Sequence, residues 1–198
     1  MKNMDWTQLS FKYSKTNTVL TCLYKDGKWG PVQSQTPDSI NLTVFSPSLH
    51  YGMSCFEGLK AFRGVDGKVR IFRPDENARR MQSSAGFLGI PCPDEELFQR
   101  MCMQAVQENI DFLPPYDLRA ALYIRPILIT TLPSINLVPQ QDGIMFMVIT
   151  LPVGSYAGTV LAPIKTVIAR DYDRAAPNGS GSVKVGGNYA CAMNATGV

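Results

Sequence analysis

The sequence predicts a mixed α/β protein of the α+β kind, with a two-layer N-terminal domain over residues 1–151. Two observations support this prediction. Short segments with strand character surround two segments whose apolar residues recur at helical spacing. The 198 residues are 45% hydrophobic and 18% charged, a balance typical of folded soluble chains and sufficient for a sizeable core.

Four strands are predicted in the first third of the chain. Asp26-Gly27 and Asp66-Gly67 are turn signals, and residues with strand character flank each of them. The predicted strands cover residues 19–24, 28–32, 56–62 and 68–72. The sequence therefore predicts two hairpins before the first long helix.

Two amphipathic helices follow. The first begins at Pro74, and the second begins near Pro93 with acidic residues in its first turn, where the helix dipole favours negative charge. Pro114-Pro115 is expected to end the second helix. The predicted core residues are Ala78, Met81, Ala85 and Leu88 in the first helix and Leu97, Met101, Ala105 and Val106 in the second.

The second half of the chain contains three more strand candidates and a predicted domain boundary. Two strand candidates are apolar stretches over residues 120–129 and 144–151, and a further strand candidate covers residues 164–169. The segment 152–160 is rich in Gly, Pro and Ser and is predicted to be an interdomain linker. A second domain would then begin within residues 161–198.

Composition excludes several kinds of protein. The net charge is +3 from 19 basic and 16 acidic residues that are scattered along the chain, so a nucleic-acid partner is not expected. Five cysteines without a CxxC pair predict neither a disulfide framework nor a zinc site, and His50 as the single histidine excludes a multi-histidine metal centre. No apolar run reaches about 18 residues, so no membrane span is expected. The N-terminus also lacks an apolar signal core, and the cytoplasm is the expected compartment.

The segment 175–190 differs from the rest because it is rich in Gly, Ser and Asn and has no hydrophobic period. It is either a flexible tail or a functional loop. Its lysine, Lys184, does not fit the phosphate-loop pattern GxxxxGK[ST], because no glycine precedes it directly and Val185 follows it. From residue type alone, Lys184 would be a solvated surface lysine.

Four motifs upstream and around Lys184 change this interpretation, and each of them alone would be weak. The motifs are His50-Tyr51-Gly52 with Phe56-Glu57-Gly58, Val69 to Pro74 followed by Arg80-Met81 and Ser84-Ala85, Leu122 to Pro126, and Lys184 to Tyr189. Together, in this order and spacing, they resemble the fold-type-IV enzymes that use pyridoxal 5′-phosphate (PLP), and most closely the branched-chain-amino-acid aminotransferases. The resemblance covers about residues 16–198.

The resemblance implies three residues that hold the cofactor. Lys184 would form the Schiff base with PLP and then act as proton shuttle, since lysine offers the amine that an aldehyde requires. Arg80 would bind the PLP phosphate through its planar guanidinium, although a solvated helix arginine is the alternative. Tyr189 would hydrogen-bond the phenolic oxygen of PLP.

The resemblance also implies a substrate site that accepts an apolar side chain and the side-chain carboxylate of glutamate. Aromatic residues suit the first and Arg125 suits the second, although aromatic residues in strands usually belong to the core. Arg125 interrupts an apolar strand, and a buried charge there needs a partner. The site residues are Tyr51, Phe56, Tyr123, Arg125 and Tyr156.

A loop that contains Ile135 and Leu137 reaches, in the family, into the pocket of the neighbouring subunit. The family usually has glycine where this chain has Asn136, which leaves the conformation of this loop open.

Family proteins continue beyond the lysine segment with a barrel-like second domain, so this chain is expected to contain only the beginning of that domain. Residues 191–198 have the character of a helix start. We expect transamination of Leu, Ile and Val with 2-oxoglutarate by a homodimer or higher homo-oligomer, with weak or no activity of the 198-residue chain alone. The alternatives are a D-amino-acid aminotransferase, an aminodeoxychorismate lyase, or an inactive fragment that only dimerises.

Overall fold

The structure is a computed structural model that describes residues 4–36, 38–118, 120–154, 163–168 and 170–195. Its strands are β1 Val19–Lys25, β2 Lys28–Trp29, β3 Gln33–Gln35, β4 Ser54–Phe56, β5 Leu59–Arg63, β6 Val69–Ile71, β7 Ala121–Thr130 and β8 Ile144–Val153. Its α-helices are α1 Pro47–His50, α2 Pro74–Leu88, α3 Glu95–Glu108 and α4 Gly187–Ala190. Turns of 3-10 helix cover Trp6–Gln8, Ile110–Phe112 and Cys191–Ala195.

The eight strands form one sheet in the order β2-β1-β8-β7-β5-β6, with β3 paired to β1 and β4 paired to β7. Every pair of strands is antiparallel. The long strands β7 and β8 form its centre, where all ten residues of each are paired. Because the helices lie between the strands in sequence and the sheet is antiparallel, the predicted α+β class is confirmed.

The predicted strand 56–62 is divided into β4 and β5, which lie end to end against β7. The register is continuous across the division, since Phe56 pairs with Ile127 and Leu59 pairs with Ile124. The residue opposite Glu57 is therefore Pro126, whose carbonyl accepts a hydrogen bond from the Glu57 N–H at 2.9 Å. Proline has no N–H to return that bond, which explains why the ladder is interrupted there.

Helices α2 and α3 cover one face of the sheet. Proline lies in the first turn of α2, and the helix ends at Gly89, whose φ of 68° suits glycine. Helix α3 begins after Asp94, whose carboxylate accepts a hydrogen bond from the Leu97 N–H at 2.8 Å. The predicted core faces of both helices are buried, apart from the partly buried Leu88.

The opposite face of the sheet is less covered. Along β4, β5 and β7, buried residues alternate with half-buried ones, as the two-residue period of a strand requires. Cys55, Glu57 and Leu59 point towards the helices, so Phe56 and Gly58 point the other way. By the same alternation Tyr123 and Arg125 share the face of Phe56, which places three predicted site residues together.

Several sequence-based boundaries are wrong. Residues 164–168 of the predicted strand 164–169 form no strand, and their apolar side chains are exposed, because no described strand lies beside them to complete a ladder. Helix α3 ends at Glu108, before the 3-10 turn Ile110–Phe112, and not at Pro114. The short elements β3, α1 and α4 were not predicted. Helix α1 is capped by Ser46, whose side chain accepts a hydrogen bond from the Ser48 N–H.

The predicted linker 152–160 lies mostly outside the described residues, and its first two residues continue β8 to Val153. The domain limits at 151 and 161 therefore stay predictions. Within the described residues, none of the helices is both long enough and apolar enough to span a membrane.

Candidate active site

The Gly-rich segment around Lys184 lies against the sheet and α2. Val183 and Val185 are buried on either side of Lys184. The Lys184 N–H donates to Ser84 Oγ at 2.9 Å, and its carbonyl accepts from the Phe56 N–H at 3.2 Å. Of the two interpretations of this segment, these contacts support an ordered loop over a flexible tail, and its function stays a prediction. The alternation Val-Lys-Val in the sequence was the signal that could have predicted it.

Asn188 stabilises this loop through hydrogen bonds of its side chain. Its side chain is buried, donates to the carbonyls of Ser180 at 2.7 Å and Val183 at 2.8 Å, and accepts from Ser180 Oγ at 2.6 Å. Three bonds from one amide fix the backbone just before Lys184 and the start of α4 just after it. The backbone of Lys184 is thereby held in place on both sides of the residue.

The Lys184 amine points to Tyr189 and Phe56. Lys184 Nζ donates to Tyr189 Oη at 2.5 Å and lies 4.6 Å from the centre of the Phe56 ring. The rings of Phe56 and Tyr189 are 5.1 Å apart. Arg174, which sequence reasoning did not single out, places its guanidinium 5.7 Å from the Tyr189 ring.

Arg80, on α2, is held by a residue that sequence reasoning also missed. Its Nε and Nη2 donate to the two carboxylate oxygens of Glu57 at 2.7 and 2.6 Å. The Glu57 side chain is fully buried, whereas that of Arg80 is 55% exposed. The hydrogen bonds from Arg80 to Glu57, and the nearby Tyr189, raise the pKa of Arg80.

A cavity of about 190 Å³ brings these groups together. Lys184, Tyr189 and Arg80 line it, with Arg174 at its side and backbone of the Gly-rich segment completing the wall. The cavity therefore combines an amine, a phenol and two guanidinium groups, a set that suits a ligand with both a carbonyl group and an anionic group.

Tyr123 and Arg125 form a pair beside this cavity. Arg125 Nη2 donates to Tyr123 Oη at 2.7 Å, and its guanidinium lies 4.5 Å from the centre of the Phe56 ring. Within the described residues Arg125 makes no ion pair with a carboxylate. A half-buried guanidinium that rests on aromatic rings can still bind an anion.

Tyr51 lies apart from the Lys184 cluster. Its hydroxyl donates to the carbonyl of Ile135 at 2.7 Å, and its ring packs near His50. The bond ties α1 to the loop that contains Asn136, whose side chain accepts from the Val138 N–H at 3.3 Å. Asn136 does not adopt the positive φ that would demand glycine. Tyr156 lies outside the described residues.

Curated relatives and solved structures match the sequence, whereas no family model does. A branched-chain-amino-acid aminotransferase of Haemophilus influenzae is 46% identical over 193 residues, which are 98% of this chain and 56% of that protein. The enzyme of the same name from Helicobacter pylori is 41% identical over 98% of this chain and 57% of its own length. The chain thus spans a little over half the length of these curated relatives.

Solved structures agree on the fold. A branched-chain amino acid aminotransferase from Escherichia coli matches 90% of this chain with a TM-score of 0.73 at 22% identity, over 54% of its own length. An enzyme of the same description from T.th., complexed with N-(5′-phosphopyridoxyl)-L-glutamate, matches 91% with a TM-score of 0.62 at 25% identity, over 54% of its own length.

Proposed function

We propose that this chain, which belongs to the family of branched-chain-amino-acid aminotransferases, forms the lysine-bearing part of an enzyme that transfers amino groups between branched-chain L-amino acids and 2-oxoglutarate with PLP as cofactor. The observation that carries the proposal is the convergence of Lys184, Tyr189 and Arg80 on one cavity. Its two main supports are the similarity over 98% of the chain and the phosphopyridoxyl compound in the related T.th. structure.

The residues around the cavity fit PLP by the chemistry of their donors. PLP carries an aldehyde, a phenolic oxygen and a phosphate, and supplies an electron sink when it is bound. An amine, a phenol and a guanidinium line the cavity in one place, and the three suit those three groups. The observed 2.5 Å contact between Lys184 Nζ and Tyr189 Oη places the amine beside the phenol, as such a ligand would need.

Each residue then has a definite task. Lys184 Nζ would hold the aldehyde of PLP, and the same amine would move the proton at the substrate α-carbon as base and acid. Tyr189 Oη would donate to the phenolic oxygen, and the guanidinium of Arg80, which is always charged in proteins, would hold the phosphate. The hydrogen bond from the Lys184 N–H to Ser84 Oγ holds the loop, and with it the base of the lysine side chain, against α2.

The substrate would lie on the face of the sheet that carries Phe56, Tyr123 and Arg125. Phe56 contributes an apolar surface for a Leu, Ile or Val side chain, and Arg125 has no carboxylate partner among the described residues with which the glutamate side chain would compete. Tyr51 Oη donates to the carbonyl of Ile135. In a homodimer, the loop that contains Ile135 would reach the pocket of the second copy, as the family resemblance implies. Tyr156 is proposed for the same pocket by the family resemblance alone.

Labelling with PLP tests the identity of the lysine. The protein that carries this sequence is stripped of cofactor, mixed with PLP, reduced with borohydride and analysed by peptide mass. We expect the added mass on the peptide that contains residue 184, its loss in Lys184→Ala, and its retention in Lys68→Ala, which removes an exposed lysine of the β5–β6 turn. Attachment at another lysine in preference to Lys184 in the wild-type protein would contradict the proposal.

A substrate panel tests the specificity. Transfer from L-leucine, L-isoleucine or L-valine to 2-oxoglutarate should exceed transfer from D-alanine and breakdown of aminodeoxychorismate. A preference for D-alanine, or lyase activity without transfer, would favour the other fold-type-IV enzymes. A protein that dimerises but binds no PLP would support the non-catalytic alternative.

A further inference from the structure

Glu57 is a charged residue with no exposed surface, at the point where β4 and β5 are divided. Its carboxylate accepts hydrogen bonds from four N–H groups. Two come from Arg80, one from Asn77 Nδ2 at 2.8 Å, and one from the Gly58 N–H at 3.3 Å. A buried carboxylate without such bonds would be strongly disfavoured, so this one is fully engaged.

Stability alone does not explain a carboxylate at this position. Well-packed apolar residues often replace a buried ion pair without loss of stability. A carboxylate can orient an arginine, which an apolar residue cannot. Its two parallel hydrogen bonds fix both the position and the plane of the guanidinium. Here the bonds use Nε and Nη2, and Nη1 donates to none of the residues that the structure describes.

We propose that Glu57, assisted by Asn77, is the positioning residue of the anion site. It holds Arg80 so that the free N–H groups of the guanidinium are offered to an anion in the cavity that contains the Lys184 amine. The proposal rests on the proposed function, in which that anion is the phosphate of PLP. Glu57 itself touches neither the cofactor nor the substrate.

Glu57 has two opposite effects on anion binding. The direction in which the affinity for an anion changes when Glu57 is replaced therefore tests the proposal. As a negative charge near a cavity with three cationic side chains, Glu57 weakens the attraction for an anion. As a clamp, it removes the conformational freedom that Arg80 would otherwise lose on binding. The proposal states that the clamp is the larger effect, so that loss of Glu57 weakens phosphate binding.

The experiment compares the affinity for PLP with the affinity for pyridoxal, which lacks the phosphate, in the cofactor-free protein. Glu57→Gln keeps the size but has one acceptor oxygen in place of two, and should weaken PLP binding about tenfold, equivalent to about 1.4 kcal/mol. Asn77→Ala removes one bond to Glu57 and should weaken it about threefold, by a smaller loss of the same kind. Neither variant should change the affinity for pyridoxal.

Two arginine variants complete the design. Arg80→Gln should abolish the preference for PLP over pyridoxal. Arg79→Gln is the matched control, since Arg79 adjoins Arg80 on α2 but pairs with the exposed Glu76 and Glu95, and it should change neither affinity. If Arg80→Gln leaves PLP binding unchanged, the phosphate role in the proposed function fails.

If Arg80→Gln weakens PLP binding while Asn77→Ala does not, and Glu57→Gln leaves it unchanged or tightens it, the positioning role is overturned and the proposed function stands. An equal loss of PLP and pyridoxal affinity in the Glu57 and Asn77 variants would also overturn it, since that pattern indicates a general structural role. Should Glu57→Gln fail to fold, the ratio of affinities in Asn77→Ala decides by itself.

Discussion

Gly58, between β4 and β5, allows the side chain of Tyr123 to lie close to the backbone. A Cβ atom at Gly58 would lie 2.3 Å from Tyr123 Oη and 3.1 Å from its ring carbon Cζ. That hydroxyl accepts hydrogen bonds from Arg125, so any residue larger than glycine would displace both side chains. The FEG motif therefore has a geometric reason for its glycine as well as for its glutamate.

We expect Gly58→Ala to weaken substrate binding while PLP binding is retained. The methyl group moves Tyr123, and Arg125 follows, so the KM for glutamate should rise by about tenfold or more, or about 1.4 kcal/mol. Steady-state kinetics with glutamate and leucine measure this, and leucine should be affected less because its side chain needs no guanidinium.

Gly86→Ala is the control for this substitution. A Cβ at Gly86 meets no heavy atom within 4 Å, and the residue lies inside α2, where alanine stabilises a helix by up to about 1 kcal/mol. Unchanged glutamate kinetics in Gly58→Ala, or an equal change in Gly86→Ala, would contradict the role assigned to Gly58.

Among the helices and strands, those whose formation depends on residues close in sequence were predicted from the sequence. Helices α2 and α3 were predicted from the helical spacing of their buried residues, and strands β7 and β8 from their continuous apolar stretches. The division between β4 and β5 could not be found in this way. It depends on Pro126, which lies about 70 residues later in the chain and becomes a neighbour only in the folded sheet.

The same distinction applies to the candidate site. Lys184, Arg80 and Tyr189 were predicted only because their motifs resemble a known family, and the structure then brought them to one cavity. Glu57 and Arg174 were missed because each acts through a partner that is distant in sequence. The β-branched segment 164–168 was wrongly predicted as a strand, since strand character in sequence does not supply a neighbouring strand.

The lysine loop offers an element-scale prediction through Asn188. Asn188→Ala leaves the buried carbonyl of Val183 without its donor and removes one of the two donors to the carbonyl of Ser180, which should cost about 1–3 kcal/mol of local stability. Amide hydrogen exchange should accelerate in residues 180–188 and remain unchanged in β7 and β8. Uniform acceleration throughout the sheet would show instead that the loop does not open independently.

At the scale of the whole molecule, the cysteines report on the two layers. Cys22 lies in β1, Cys55 in β4 and Cys102 in α3, and all three are buried, whereas Cys92 is partly buried and Cys191 is exposed. Burial raises the pKa of the Cys55 thiol to about 12 and raises the pKa of Cys22, Cys92 and Cys102 as well. The thiolate is the reactive form, so these four should be inert in the folded state.

We therefore expect iodoacetamide at pH 8 to label Cys191 rapidly and the other four cysteines only when the molecule unfolds. At that pH, a thiol with a pKa near 12 is ionised to about one part in ten thousand, which adds to the protection that burial gives. Mass spectrometry of peptides after timed labelling measures the rates, and Cys191→Ser should remove the fast reaction.

If sheet and helices form one cooperative unit, increasing denaturant should expose Cys22, Cys55 and Cys102 in a single transition. Labelling of Cys102 before Cys22 and Cys55 would show that α3 detaches from the sheet first, and would contradict a single cooperative core.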